Sequence, residues 1–336
     1  MARSGAFIFG ASGTVLTPEE VTLYRHAQPW GFILFARNID TAEQTRRLTA
    51  DMRNAVGWHA PVFIDQEGGR VQRFGPPMGT QYLPALDQAE GASDRAAAMY
   101  LRSRLIADEL QALGIDGNCA PLADIATDET HPVLKNRCYG YSVDDVVLSA
   151  RAVAEGQVAG GVLPVLKHIP GHGRAQLDSH HELPTVTTPE NELVETDFAA
   201  FRALADLPLG MTAHVLFSAL DADHPATTSR TMHQIIRDEI GFDGLLMTDD
   251  ISMNALAGNV VERSLAASQA GCDLILHCNG DFAEMVAIAT AIGPLSDAGQ
   301  RRADHALTYR RNADDVDIAA LTADLAALMQ QGCHDG

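Results

Sequence analysis

The stretch Gly244-Leu245-Leu246-Met247-Thr248-Asp249-Asp250 is a short apolar run that ends in two carboxylates. A run of this length, bounded by turn-forming or charged residues, reads as a strand buried on both faces. Such strands belong to parallel sheets covered by helices, and the chain holds seven more runs of the same kind. They are Ala6 to Gly10, Gly31 to Phe35, Pro61 to Asp65, Ile115 to Ala120, Leu163 to His168, Leu209 to His214 and Asp273 to Cys278.

Between the runs lie segments of helical period. Pro18 to His26 follows Thr17, a capping residue with proline at the first helical position, and Thr41 to Val56 and Asp94 to Leu113 carry apolar residues three and four apart. Val143 to Gly160, Glu190 to Leu204, Thr231 to Ile240, Val260 to Ala270 and Phe282 to Ile292 continue the alternation. Strand then helix, repeated eight times, predicts an α/β fold, a (β/α)8 TIM barrel, as one domain spanning residues 1–336 with a frayed tail from Gln330. A doubly wound sheet would want a glycine-rich phosphate turn after its first strand, and Gly10-Ala11-Ser12-Gly13 is too short a match.

Composition narrows the function. At 46% hydrophobic and 20% charged residues the chain can bury a large core. A net charge of −20 repels phosphate backbones and anionic lipid, which excludes nucleic-acid and membrane partners. The N-terminus lacks a secretory signal pattern, and no stretch reaches the roughly 18 apolar residues of a membrane span. Five scattered cysteines, odd in number and without CxxC spacing, fit neither a disulfide framework nor a zinc site. A cytoplasmic, monomeric protein is expected.

In a barrel the C-terminal ends of the strands converge on one mouth. Strand three ends in Asp65, followed by Gln66-Glu67-Gly68-Gly69-Arg70; strand five ends in Lys167-His168, strand six in His214 and strand seven in Asp249-Asp250. One such residue is readily a cap or an ion-pair partner. Four strands of eight ending this way suit a polyhydroxylated ligand, which needs carboxylate acceptors beside cationic donors. Asp249, at the end of a buried strand, can serve as a nucleophile; Asp250, pointing the other way, reads as structural.

The loop after strand five holds His168, His172, His180 and His181. Pro170 and Gly171 separate the first two and prevent the helical presentation used by zinc hydrolases, so no metal is expected. Asp178-x-His180 can set a carboxylate against one imidazole nitrogen and leave the other to move a proton, although such triplets also arise by chance. One strand-end carboxylate, an Asp-His pair and a basic cluster together suit retaining glycoside hydrolysis.

At these residues the sequence resembles the bacterial β-N-acetylhexosaminidases of glycoside hydrolase family 3, the single-domain kind active in peptidoglycan recycling. Lys167 to Gly173 reads KHIPGHG and is followed by Asp178-Ser179-His180; Ile64 to Phe74 reads IDQEGGRVQRF and Met247 to Met253 reads MTDDISM. The resemblance spans most of the chain. It implies that Asp249 is the nucleophile of a glycosyl-enzyme intermediate, His180 the general acid/base and Asp178 its orienting partner. It also implies that Asp65, Arg73, Arg137, Lys167 and His168 hold a terminal N-acetylglucosamine. Ile169 stands where phenylalanine is commoner and Thr248 where serine is frequent, while no catalytic group is replaced.

The implied reaction is exo-hydrolysis of β-linked N-acetylglucosamine from muropeptide-derived saccharides, without a cofactor. Phosphorolysis at the same site is the nearest variant, since an imidazole repels incoming phosphate less than a carboxylate would. A metal-dependent amidohydrolase using His168, His172 and His180 is the rival from another class, separable by its response to a chelator. A catalytically dead sugar-binding protein would lack Asp249 or His180, and both are present.

Overall fold

The computed structural model describes residues 3–177 and 182–332. Eight parallel strands form a barrel: β1 (Gly5–Gly10), β2 (Pro29–Leu34), β3 (Val62–Ile64), β4 (Gly117–Asn118), β5 (Leu163–Pro164 and Leu166–Ile169), β6 (Leu209–Thr212), β7 (Leu245–Met247) and β8 (Ile275–His277). Pairing runs β8-β1-β2-β3-β4-β5 in one stretch and β5-β6-β7 in another. The ring closes where Met247 pairs with Leu274, and the Ile251 N–H donates to the Leu276 carbonyl at 2.9 Å. Closure leaves no unpaired edge. All eight runs read from the sequence are barrel strands.

Alternate residues of the strands serve a core inside the barrel and an outer layer of two apolar clusters under the helices. Ile8, Phe63, Cys119, Val165, Met211 and Met247 pack together within the barrel. Phe7, Phe9, Phe32 and Ile64 face outward against Tyr24, Leu48 and Met52 of the surrounding helices. The first helix, Pro18–Ala27, starts at the cap read from the sequence, and the second starts one residue after Thr41. Thr17 accepts from the Glu20 N–H while Glu20 accepts from the Thr17 N–H, and the Thr41 hydroxyl caps Ala42–Val56.

Three details depart from the sequence reading. The segment read as one helix from Glu190 is two, Glu190–Glu195 and Asp197–Ala203, broken at Thr196 with φ −119° and ψ −89°. The helix that starts at Arg230 widens into a π turn over Ile235–Glu239. Helices at Ala85–Gly91, Pro132–Lys135, Asp297–Leu307 and Ile318–Gly332 add to the eight. Among the described residues no helix is long and apolar enough to cross a membrane, and the four described cysteines are free and buried.

Candidate active site

β3 delivers Asp65 to the mouth, and the turn after it delivers Glu67. That turn depends on Gly68 and Gly69, both at positive φ (97° and 58°). A Cβ on Gly68 would lie 2.0 Å from the Arg102 guanidinium, which donates to the carbonyls of Glu67 and Leu83. The glycines let a buried arginine grip the turn that aims Glu67.

Glu67 is held by Arg137, whose Nε and Nη2 each donate at 2.9 Å, and by Lys167 Nζ at 2.6 Å. Lys167, projecting from β5, also donates to Asp65 Oδ1 at 3.1 Å, and Arg73 Nη2 donates to Asp65 Oδ2 at 2.6 Å. The Glu67 and Lys167 side chains are each only 2% exposed. Burial alone would push both carboxyls up. The cations outweigh it: Lys167 and Arg73 hold Asp65 far below the usual carboxylate range, and Arg137 and Lys167 hold Glu67 down at about 2. Burial likewise disfavours the Lys167 ammonium, but Glu67 and Asp65 more than compensate and raise its pKa. The cluster is therefore fully ionised at neutral pH, two carboxylates against three cations.

The second half of the site hangs on Asp124, which ends the run Ala120-Pro121-Leu122-Ala123 beyond β4. Its Oδ2 lies 2.7 Å from His168 Nδ1, and its Oδ1 accepts the His172 N–H at 2.7 Å. Burial opposes the charge of Asp124, yet His168 and these hydrogen bonds lower its pKa. An ionised carboxylate only accepts, so His168 Nδ1 carries the hydrogen and Nε2 keeps its lone pair when the ring is neutral. The His168 and His172 rings meet with centroids 5.4 Å apart. Burial and the neighbouring His168 push His172 down to about 4. The third histidine of the metal reading, His180, lies outside the described residues, and among those described no three His, Cys, Asp or Glu side chains are grouped to hold a metal.

Asp249 extends from the end of β7. Its Oδ1 accepts the N–H of Asp250 at 2.8 Å. Burial works against its charge; His168, His214 and that N–H outweigh it and lower its pKa. Asp250 turns away, accepting from the Ser252 hydroxyl at 2.7 Å and the Cys278 N–H at 3.1 Å, which is the structural role its position suggested.

Asp65, Arg73, Arg137, Lys167, His168 and Asp249 line one cavity, together with His172, Met211, Arg70, His131, Val133 and Leu177. Six of the eight expected site residues thus share a single pocket. The other two, Asp178 and His180, lie outside the described residues. Two members of the constellation went unassigned from sequence, Glu67 and Asp124. Both carried a readable signal: Glu67 follows a strand-end aspartate by two positions, and Asp124 ends an apolar run as Asp249 does.

Residues 16–307 match the family model described as the glycosyl hydrolase family 3 N terminal domain. A beta-hexosaminidase of Bordetella avium is 36% identical over 284 residues, covering 82% of this chain and 81% of the relative. A beta-hexosaminidase of Chromobacterium violaceum is 34% identical across 96% of this chain and 92% of its own. Among solved structures, NagZ from Neisseria gonorrhoeae in complex with N-trifluoroacetyl-D-glucosamine superposes with a TM-score of 0.83 at 30% identity, covering 98% of this chain and 97% of that one. A family 3 beta-N-acetylglucosaminidase from Paenibacillus sp. FPU-7 gives 0.85 at 30% identity, covering 97% of this chain, which spans 66% of that protein. With eight barrel strands, a strand-end carboxylate facing an ionised cluster, and a match over nearly the whole barrel, the chain belongs to glycosyl hydrolase family 3.

Proposed function

We propose that the protein is a retaining exo-β-N-acetylglucosaminidase that removes the non-reducing terminal N-acetylglucosamine from peptidoglycan-derived muropeptides. The observation that carries this reading is the placement of Asp249, ionised, in the same cavity as Asp65, Lys167 and Arg137, which Glu67 braces from behind. A pyranose needs several of its hydroxyls held at once, and this cluster offers both acceptors and donors at fixed positions. Arg137 spends Nε and Nη2 on Glu67, which leaves Nη1 for a ligand.

In the proposed reaction an Asp249 oxygen attacks the anomeric carbon as the bond to the leaving oxygen breaks. Protonated His180, oriented by Asp178, gives its proton to that oxygen. The neutral imidazole then takes a proton from water, which hydrolyses the glycosyl ester from the same face and releases Asp249. Double displacement retains configuration. Asp65, Arg73, Arg137, Lys167 and His168 hold the sugar. The buried free thiols and the relatives' names fit a cytoplasmic recycling enzyme acting on small saccharides, and we take it to act as a monomer without a cofactor.

The test is the configuration and identity of the first-formed product. Turnover of an aryl β-N-acetylglucosaminide, followed by proton NMR, should release the β-anomer of N-acetylglucosamine before mutarotation. The α-anomer first would overturn the double displacement. Repeating the reaction in inorganic phosphate distinguishes the variant chemistry, for which the sugar 1-phosphate would be the main product. Release of acetate in place of the aryl alcohol, abolished by a chelator, would point instead to the metal-dependent amidohydrolase.

A further inference from the structure

Asp249 has one hydrogen bond among the described residues, the N–H of Asp250. The direction in which its other oxygen points therefore depends on how the Asp250 backbone is held. The carbonyl of Asp250 accepts the Met253 N–H at 3.0 Å and is also gripped from β6, where His214 Nε2 lies 3.0 Å from it. A carbonyl only accepts, so His214 Nε2 carries the hydrogen. The other nitrogen, Nδ1, faces the Thr227 hydroxyl at 2.7 Å, and that hydroxyl is in turn 2.8 Å from the Thr212 hydroxyl and 3.0 Å from the Ala213 carbonyl. His214, Thr227 and Thr212 are completely buried, so no water competes for these bonds.

The geometry points to His214 as a positioning residue for the nucleophile. We infer that the chain Thr212, Thr227, His214, Asp250 fixes the imidazole as its Nε2–H form and, through the Asp250 backbone, sets the Asp249 carboxylate. His214 does not line the cavity and would touch no substrate. It lies just past β6 and Asp250 just past β7, and the bond between His214 and the Asp250 carbonyl ties the tips of two neighbouring strands. Residue Asp250 is held on three sides, with its carbonyl on His214 and the Met253 N–H, its N–H on Asp249 and its carboxylate on Ser252 and Cys278; of these only the His214 bond comes from β6.

This inference rests on Asp249 as nucleophile, and the experiment separates the two. The pre-steady-state burst of aryl release is measured for wild type, His214→Phe and His214→Gln, with an activated aryl β-N-acetylglucosaminide whose first step outruns its second. Glutamine carries an amide N–H at about the reach of Nε2 and cannot titrate. Loss of the bond in His214→Phe should slow the glycosylation step by about ten- to a hundredfold, with the substrate Kd, read from the concentration dependence of the burst rate, within about threefold of wild type, and His214→Gln should recover most of that loss. A His214→Phe burst as fast as wild type overturns the inference. So does a glutamine variant as slow as the phenylalanine one, with the Kd from the burst raised and the melting temperature lowered in both, because that is the pattern of a merely structural residue. If wild type itself shows neither a burst nor a glycosyl adduct on Asp249, the nucleophile assignment fails and the positioning role falls with it. A burst present in wild type and unchanged in the variants overturns the positioning role alone.

Discussion

Glu67 occupies a position where a carboxylate is hard to replace. It neutralises Arg137 and Lys167 in a space nearly closed to water, and burial makes an uncompensated charge far costlier than a paired one. Glu67→Gln should destabilise the protein by about 3 to 5 kcal/mol in chemical denaturation, while also raising KM through the freed Arg137. A loss below the uncertainty of the method would mean that the cluster is wetter than its burial indicates. Asp249→Ala should keep the fold and lower kcat by on the order of 10⁴-fold, with no burst, because the step it performs has no substitute. At this scale the sequence was legible wherever charge interrupts an apolar run. Asp65, Lys167, His168 and Asp249 were found that way. Glu67 and Asp124 carry a similar mark but gained no role from it, because their importance lies in a partner distant in sequence: Arg137 for one and His168 for the other. Periodicity does not report pairings across 70 or 44 positions.

At the scale of elements, the loop beyond β5 is seated on the segment beyond β4. The seat is made at Gly173, where a Cβ would fall 1.9 Å from the backbone carbonyl oxygen of Ile125. Backbone cannot swing aside as a flexible side chain can. Gly173→Ala should therefore cost about 2 to 3 kcal/mol and loosen the neighbouring Asp124-His172 contact. Gly57→Ala is the natural comparison: φ there is 75° with open space around it, so only the left-handed backbone is penalised, by about 1 kcal/mol. Thermal unfolding of the two variants should rank Gly173→Ala as clearly the worse, and the reverse order would show that the two loops are not closely packed. The eight strands were legible because a strand buried on both faces leaves an unbroken apolar run. The breaks were not. Thr196 offers neither glycine nor proline to mark the end of a helix, and the π turn at Ile235–Glu239 keeps an apolar spacing close to that of an α-helix. Helices as short as Pro132–Lys135 span too few residues to show a period.

Across the whole molecule, acid should be more damaging than the net charge alone suggests. His233 lies buried beneath the barrel wall, its Nε2 3.2 Å from the Thr227 carbonyl and 3.6 Å from Cys272 Sγ. Burial, with a smaller contribution from Arg237, lowers its pKa from 6.5 to about 4, although the bond to Thr227 opposes the shift. The unfolded chain therefore binds this proton at a higher pH than the folded one does. Stability rests on the neutral ring, is fully present above pH 6.5, and is lost as the pH falls toward about 4. The loss from this residue is of order 3 kcal/mol once the folded ring begins to titrate. Glu67, held at about 2, and the lowered Asp65, Asp124 and Asp249 change stability in the same direction but at lower pH, beginning below about 4.5. The two windows can be told apart. Because the Thr227 carbonyl needs only an N–H, His233→Gln keeps the bond and removes the proton site. Denaturant midpoints measured from pH 7.5 to 4.5 should fall steadily for wild type and less steeply for His233→Gln, whose remaining fall reports His172, also lowered to about 4. Equal slopes for the two proteins would mean that this imidazole is protonated in the folded state and contributes nothing to acid sensitivity.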